Sequence, residues 1–230
     1  MEKAFKNLIK SDFPYLATGK LLVAVSGGVD SVVLAHLCKS AKLNFSIAHC
    51  NFNLRNEESD GDESFLLDLA DALDVEIFTE NFDTKSYSKD AGISIQMAAR
   101  DLRYNWFNEL SASLGFDYVL TAHHINDDLE TFLINFIRGT GLEGLTGIKP
   151  ENEKIIRPLL KFSRKEIEFF AREKKIHWRE DSSNLDSKYL RNKIRNEIVP
   201  IMESINPQLL ESFARTHSYL RDSYNLVEDY

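Results

Sequence analysis

The chain has 230 residues, 43% of them hydrophobic, and a formal net charge of −8, which suits one large domain with or without a small appendage. Its two cysteines show neither a CxxC nor a zinc-ligand spacing, so a disulfide framework is disfavoured and a reducing compartment, the cytoplasm, is expected. The N-terminal segment is charged, and no run approaches the roughly 20 apolar residues of a membrane span, so we expect no membrane partner.

Strand-like runs alternate with helical patterns along most of the chain. The predicted strands are LLVAVS (21–26), FSIAHC (45–50), VEIFTE (75–80), YVLTAH (118–123) and KIIRPLL (154–160). The predicted helices lie near 30–40, 60–73, 94–113 and 126–137. This alternation predicts an α/β fold, a five-stranded and mainly parallel sheet with helices on both faces. Ligands of such sheets bind beyond the carboxyl ends of the strands.

The pattern changes after the fourth predicted helix. The glycine-rich segment 138–150 is interpreted as a functional or flexible loop. We expect residues 1–160 to form the main domain and residues 161–230 to form a helical, basic appendage.

Charge is distributed unevenly. Residues 56–84 contain eleven acidic side chains and no lysine or arginine, which leaves a net charge of +3 on the rest of the chain. Because this stretch also has apolar residues at helical spacing, its acids are interpreted as a solvated helix face. Residues 161–179 and 188–195 are basic, so binding to a polyanion stays open.

The segment SGGVDS (26–31) joins the first predicted strand to the first predicted helix. Its two glycines permit positive φ and close backbone approach, so that successive N–H groups form an anion nest at a helix N-terminus. Ser26 and Ser31 add hydroxyl donors, and a carboxylate such as Asp30 beside phosphates is favourable chiefly with Mg²⁺ between them. The alternative is structural, a tight turn with Asp30 or Ser31 as the helix N-cap.

Polar residues also follow the second and fourth predicted strands. AHCNFNLR (48–55) carries His49, and the helical segment QMAARDLRYNWF (96–107) carries Arg100. The densest cluster is TAHHINDDLET (121–131), in which several His and carboxylate side chains are three or four residues apart and share helix faces. Three interpretations of it stay open: a divalent metal site, a structural helix N-terminus, and a pocket for a cationic substrate.

The series of motifs resembles that of the tRNA(Ile)-lysidine synthetases, members of the PP-loop ATP pyrophosphatases, which cleave ATP between its α and β phosphates. SGGxDS after the first strand is the signature of that superfamily. The further matching motifs are HCNFNLR, ARDLRY, TAHHINDDLET, RGTGLEGLTGI, RPLL, EDSSN (180–184) and RNKIRNEIVP (191–200). The resemblance covers about residues 20–200.

The resemblance implies ATP-dependent ligation of free L-lysine to C2 of the first anticodon cytidine of the isoleucine tRNA with a CAU anticodon. Attack of the cytosine O2 on the α-phosphate would release pyrophosphate and give an adenylated cytidine. The ε-amine of lysine would then attack C2 and displace AMP. The resemblance also implies Mg²⁺ together with ATP, and it allows a homodimer.

The resemblance also assigns residues to these steps. Asp30 would ligate Mg²⁺, and Arg100 would neutralise charge that develops at the α-phosphate. The residues that would bind ATP are Ser26, Gly27, Gly28, Val29, Asp30, Ser31 and His49.

The substrate side of the site is assigned in the same way. Asp127 and Glu130 would hold the lysine ammonium and help it to lose a proton. Arg191, Asn192 and Arg195 would contact phosphate or the anticodon, or else belong to a surface helix with charge pairs to residues such as Glu197.

Other functions stay open from the sequence. Another PP-loop ligase or thiolase is one alternative, although Cys38 and Cys50 do not suit sulfur or iron–sulfur chemistry and no amidase nucleophile is evident. A non-catalytic adenine-nucleotide sensor is another, but it would have no use for Asp127 or Glu130. Members of the family usually continue into C-terminal tRNA-binding domains, which we expect to be absent from this chain.

Overall fold

The computed structural model describes residues 1–54, 57–179 and 190–228. Its strands are β1 (Lys20–Ala24), β2 (Asn44–Asn51), β3 (Ile77–Asn81), β4 (Tyr118–Leu120), β5 (Glu151–Asn152) and β6 (Ile155–Ile156). They form one sheet in the order β3-β2-β1-β4-β6-β5, in which every pair is parallel except β5 with β6. The predicted α/β class and mainly parallel sheet are therefore confirmed.

The sheet has six strands rather than the five expected from the sequence. The additional strand is β5, which pairs antiparallel with β6 across a turn in which Glu153 adopts a positive φ of 53°. Both residues of β5 are polar and exposed, so no apolar pattern marks it. β4 is also shorter than expected, because the strand ends at Leu120 and the residues after it turn toward α6.

Helices cover both faces of the sheet. The first seven are α1 (Glu2–Asp12), α2 (Val29–Ser40), α3 (Glu57–Leu73), α4 (Thr84–Ala91), α5 (Ile95–Leu114), α6 (Ile125–Arg138) and α7 (Leu142–Leu145). They are followed by α8 (Arg164–Glu173), α9 (Leu190–Lys193), a π-helical turn (Ile194–Ile198), α10 (Val199–Ile205) and α11 (Leu209–Glu228). The sequence analysis did not predict α1, α4 or α7. In the part of the chain that the structure describes, no helix is long and apolar enough to cross a membrane.

The core divides at the sheet because successive side chains of a strand point to opposite faces. Leu21 and Val23 of β1 pack with residues of α1, α2, α3 and α8, whereas Leu22 packs on the other face with Trp106 and Phe107 of α5. A third apolar cluster joins α6 to the helices that follow residue 190 and contains Leu129, Ile194, Val199 and Phe213. The last helices are thus held to the sheet domain through α6.

The described residues after Leu160 pack in two places. Ile167 and Phe170 of α8 lie in the same core as the sheet, whereas Ile194 and Phe213 pack on α6. The division into a main domain of residues 1–160 and an appendage of residues 161–230 stays a prediction.

The strand order reverses next to β1. β2 and β3 extend from one side of it, and β4, β6 and β5 extend from the other. A reversal of this kind opens a crevice beyond the carboxyl ends of the two strands at the switch point. The segments after β1 and β4, which carry the two densest polar clusters of the sequence, both begin at this crevice.

Candidate active site

The phosphate-loop candidate is the SGGVDS segment between β1 and α2. Gly27 has a φ of +92°, a conformation that a side chain would strain, and Gly28 is the N-cap of α2. Ser31 closes the loop, since its hydroxyl accepts from the backbone N–H of Ser26 at 3.1 Å and donates to the carbonyl of Gly28 at 2.9 Å. Gly28 gives α2 no side-chain cap, so the N–H groups of the first turn suit an anion.

Asp30 lies in the first turn of α2, where its carboxylate is poorly satisfied. Its buried Oδ1 has no hydrogen-bond partner, and the nearest nitrogens of basic side chains are His124 Nε2, 3.6 Å from Oδ1, and Arg164 Nη1, 3.9 Å from Oδ2. A carboxylate oxygen beside an anion nest is the kind of ligand that Mg²⁺ prefers when phosphate oxygens and water complete its shell. Asp30 therefore fits a magnesium ion held jointly with a triphosphate.

His124 connects this loop to α6. It is the N-cap of α6, where its Nδ1 accepts from the N–H of Asp127 at 3.3 Å and its own N–H donates to Asp127 Oδ2 at 3.1 Å. Because Nδ1 accepts, a neutral His124 carries its proton on Nε2, the nitrogen that faces Asp30. Burial by itself lowers the pKa of His124, but the carboxylates of Asp30 and Asp127 outweigh it and the pKa is raised.

Asp127 and Glu130 lie on one face of α6, and both are paired with Arg195. Arg195 Nε donates to Glu130 Oε1 at 2.6 Å, and its Nη2 donates to Glu130 Oε2 at 2.9 Å and to Asp127 Oδ1 at 3.1 Å. Arg191 adds a bond from Nε to Glu130 Oε2 at 3.0 Å and one from Nη2 to the backbone carbonyl of Asp127 at 3.2 Å. We call these four side chains the ion-pair cluster.

The two carboxylates of the ion-pair cluster are largely buried, and this affects their charge states. The Glu130 side chain is 2% exposed and that of Asp127 15%. Burial raises the pKa of Asp127, but His124, His123 and Arg191 outweigh it, and the pKa is lowered. For Arg195, burial lowers the pKa while Glu130 and Asp127 raise it, with a net rise.

The sequence left open whether the arginines of residues 191–195 form charge pairs, and the structure shows which pairs they form. Arg191 and Arg195 make charge pairs, but with the carboxylates of α6 rather than with Glu197. Asn192 lies between them in α9, and Arg195 lies in the π-helical turn, a type of turn common at functional sites. The two arginines are thus brought beside the predicted lysine ligands.

The structure also places the other residues predicted to act on ATP, namely His49, Val29 and Arg100. His49 is buried at the end of β2, where its Nδ1 lies 3.0 Å from the carbonyl of Val25, the residue before the loop. Val29 is buried in the core, so only its backbone is available to a ligand. Arg100 lies on the exposed face of α5, with its guanidinium 4.8 Å from the centre of the Tyr104 ring. Arg55 and the EDSSN motif lie outside the described residues.

Two features near the site were not predicted. Burial lowers the pKa of His123 to about 4, with Asp127 opposing the shift and Arg157, Arg191 and Arg103 reinforcing it, so the ring is neutral near pH 7.

Arg157, the arginine of the RPLL motif, is 7% exposed and donates from Nη1 to the carbonyl of Lys149 at 2.8 Å, while its buried Nε has no partner. An arginine directly after a short apolar strand is the signal in the sequence for this second feature.

Asp128, four residues after His124, has a different role. Its Oδ1 accepts from the N–H of Ile148 at 2.6 Å, and its Oδ2 lies 2.9 Å from His217 Nδ1 and 3.0 Å from Arg221 Nη2, both in α11. Gly147 has a φ of +62°, and a Cβ there would overlap Asp128 Oδ1. Asp128 therefore fastens α11 and the 145–148 segment to α6, and the spacing of His124 and Asp128 does not bring them together.

Many cations of the basic stretch 161–179 are paired with acids. Lys161 contacts Asp12, Arg164 contacts Glu168, Lys165 contacts Glu203 and Lys174 contacts Glu2. Across residues 1–54, 57–179 and 190–228, no group of three or more His, Cys, Asp or Glu side chains is arranged to hold a metal ion. A magnesium ion at Asp30 would accordingly share its coordination with oxygens of a bound nucleotide.

Comparisons with known proteins agree with this geometry. The family model described as PP-loop domain matches residues 1–202. The tRNA(Ile)-lysidine synthase of Bacteroides thetaiotaomicron is 43% identical over 224 residues, which are 96% of this chain and 53% of that protein. The enzyme of the same name from Porphyromonas gingivalis is 46% identical over 203 residues, 87% of this chain and 44% of that protein. The chain thus spans about half the length of the curated relatives it matches.

Solved structures show the same fold at low sequence identity. The U34-tRNA thiolase NcsA from Methanococcus maripaludis superimposes with a TM-score of 0.75 and 20% identity, over 95% of this chain and 78% of that one. The NMN synthetase from Francisella tularensis gives a TM-score of 0.55 and 15% identity, over 76% of this chain and 70% of that one. At these identities the likeness concerns the fold.

Proposed function

Because the chain belongs to the PP-loop domain family, we propose that it is a carbon–nitrogen ligase that uses ATP to join L-lysine to a tRNA. The target is C2 of the first anticodon cytidine of the isoleucine tRNA with a CAU anticodon, and the products are lysidine, AMP and pyrophosphate. The names of the relatives in Bacteroides thetaiotaomicron and Porphyromonas gingivalis support this assignment. We place the reaction in the cytoplasm, where tRNA, ATP and free lysine meet.

The observation that carries the proposal is the link from Asp30 through His124 to Asp127. His124 Nε2 lies 3.6 Å from the carboxylate of the phosphate loop, and its Nδ1 caps the helix that bears the carboxylates. A reaction that first activates a base with ATP and then attacks it with an amine needs the α-phosphate and the amine within one pocket. The crevice between β1 and β4 offers an anion nest and a carboxylate face on its two sides.

In the first step the cytosine O2 attacks the α-phosphate, and the bond between the α and β phosphates breaks. The backbone N–H groups after Gly27 would hold the departing pyrophosphate. Mg²⁺ would be held by Asp30, and it would neutralise the charge of the phosphates. Arg100 would stabilise charge on the α-phosphate, which requires a substrate to bring that phosphate to the exposed face of α5.

In the second step the ε-amine of lysine attacks C2, and AMP leaves with the former O2. The amine reaches the site as an ammonium and must lose a proton before it attacks. Asp127, whose lowered pKa keeps it ionised, would orient the ammonium by charge-assisted hydrogen bonds. The neutral ring of His123 interacts electrostatically with Asp127 and Arg191.

The cysteines give the thiolase alternative no support. Cys38 is fully buried within α2, and burial raises the pKa of its thiol. Burial likewise raises the pKa of Cys50 to about 12. Neither side chain is a thiolate near pH 7, the form that sulfur transfer requires, and the described residues hold no group of three or more His, Cys, Asp or Glu side chains that could bind a metal.

The test is pyrophosphate release combined with lysine incorporation. The purified chain is incubated with ATP, Mg²⁺ and radiolabelled L-lysine, with or without a CAU-anticodon isoleucine tRNA. We expect pyrophosphate and acid-precipitable lysine to form together, and only with this tRNA. A tRNA identical except for a GAU anticodon is the matched control. Equal product with both tRNAs, or pyrophosphate without lysine incorporation, contradicts the proposal.

A further inference from the structure

The carboxylates proposed to hold lysine are already occupied by arginine. Both oxygens of Glu130 accept from guanidinium groups, and its side chain is only 2% exposed. Asp127 is different, because Arg195 reaches its side chain through one contact, Nη2 to Oδ1 at 3.1 Å. The other oxygen of Asp127, Oδ2, accepts from the backbone of His124.

An incoming ammonium therefore competes with Arg195 for one atom. The ion-pair cluster holds two carboxylates and two guanidinium groups, so its net charge is zero and it offers a further cation no net attraction. An added positive charge beside largely buried carboxylates that are already paired is unfavourable unless it takes over an existing pairing. Asp127 Oδ1 is the acceptor where such an exchange breaks a single contact.

We propose that Arg195 is a displaceable counter-ion at the lysine site, whose Nη2 is replaced at Asp127 Oδ1 by the ε-ammonium of the substrate. Arg195 stays attached to Glu130, to which Nε donates at 2.6 Å. Glu130 is then a positioning residue that retains Arg195, and Asp127 is the residue that touches lysine. The inference rests on the proposed function, because it takes lysine as the substrate.

Local structure allows the exchange. The Arg195 side chain is 25% exposed and begins in the π-helical turn Ile194–Ile198, where the regular α-helical hydrogen-bond register is interrupted. Its Nη2 is shared between two carboxylates, so release from Asp127 leaves the bonds to Glu130 in place. An amino acid with a neutral side chain brings no side-chain cation to replace Arg195 at Asp127, and Arg195 then keeps its position. The arrangement therefore selects for a cationic side chain.

The test measures L-lysine binding to the whole chain by equilibrium dialysis with radiolabelled lysine, Mg²⁺ and a non-hydrolysable ATP analogue. Arg195→Met removes the competitor, and we expect the dissociation constant for lysine to fall about tenfold, the scale of one partly buried charge contact. The matched control is Lys193→Met, which removes a positive charge from an exposed position of α9 between the two arginines, and we expect a change within about twofold.

Each outcome bears on the inference. Unchanged or weaker lysine binding by a folded Arg195→Met variant overturns it, and so does tightening of the same size in Lys193→Met. If Arg195→Met does not fold, Arg195→Gln, which can still donate to Glu130, takes its place with the same expectation. Norleucine, which has no ε-ammonium, is expected not to compete with lysine, and competition by it also overturns the inference. Failure of the unaltered chain to bind lysine overturns the proposed function and the inference together, whereas lysine binding without tightening in the variant overturns the inference alone.

Discussion

His124 Nε2 lies 3.6 Å from Asp30 Oδ1, so the N-cap of α6 faces the carboxylate in the first turn of α2. The N-termini of two helices thereby converge at the carboxyl ends of β1 and β4. Both helix dipoles present their positive ends there, which favours a negatively charged ligand such as a triphosphate. The same field favours the carboxylate of Asp30, and a magnesium ion would offset the repulsion between that carboxylate and the phosphates.

The first prediction concerns Asp30. Asp30→Asn keeps the shape of the side chain and removes the charge that would hold Mg²⁺, so we expect pyrophosphate release to fall at least about 100-fold. The melting temperature should change little, because Oδ1 has no hydrogen-bond partner to lose. Asp74→Asn, at a side chain that is 99% exposed, is the control and should behave as the unaltered chain. Near-normal release at saturating Mg²⁺ and ATP would return Asp30 to a structural role.

The second prediction concerns the acid sensitivity caused by His123. The pKa of this ring is lowered to about 4 by burial, whereas in the unfolded chain it is about 6.5. Between these values the unfolded state binds a proton that the folded state does not. The stability that neutral His123 contributes is therefore complete above about pH 6.5 and is lost as the pH falls toward 4.

His123→Gln removes this titration. We expect the melting temperature of the unaltered chain to fall between pH 7.5 and 5.0 by about 3 °C more than that of the variant. His177→Gln alters an exposed histidine and should retain the full pH dependence. An equal fall in the unaltered chain and in His123→Gln contradicts the assignment.

The third prediction separates two adjacent carboxylates of α6. Asp128→Asn removes the charge that pairs with the buried His217 and with Arg221. We expect this change to lower the free energy of unfolding by about 3 kcal/mol. Gly147→Ala should destabilise as well, because its φ is +62° and a Cβ would overlap Asp128 Oδ1. At a temperature where both variants are folded, the KM for lysine should be normal. A raised lysine KM in Asp128→Asn would place this residue in the site.

The part of the site that could be predicted from sequence is the part fixed by short spacing. Gly27, Gly28 and Asp30 are neighbours in one turn, and Asp127 and Glu130 are three residues apart on one helix, so local geometry alone brings each group together. The two groups can be expected to lie close together once the strand order is known, because β1 and β4 flank the point at which that order reverses.

What could not be predicted depends on long-range packing. Arg195 meets Asp127 from 68 residues away, and Arg221 meets Asp128 from 93 residues away. Neither pairing is marked by any periodicity, because Arg195 is assigned only by resemblance, to phosphate, the anticodon or a charge pair on a surface helix, and Arg221 lies outside the basic stretches. α1 was missed for a related reason, because only Phe5 and Ile9 are buried in an otherwise charged helix.

The last prediction tests the ion-pair cluster with four variants. Asp127→Asn removes the charge that would hold the ammonium, so we expect the KM for lysine to rise at least about tenfold while ATP binding stays within about twofold. Glu130→Gln should also raise the KM for lysine, but for a different reason. Without the Glu130 charge, Arg195 has Asp127 as its main acidic partner and competes with lysine more strongly.

The double variant Glu130→Gln/Arg195→Met distinguishes this account from direct lysine binding by Glu130. If Glu130 acts by retaining Arg195, removal of the arginine should return the KM for lysine most of the way to that of the Arg195→Met variant. If Glu130 itself holds the ammonium, the double variant should keep the high KM of Glu130→Gln. Melting temperatures of all four proteins serve as the control, because a purely structural cluster would lower stability in each of them and leave the dependence on lysine unchanged.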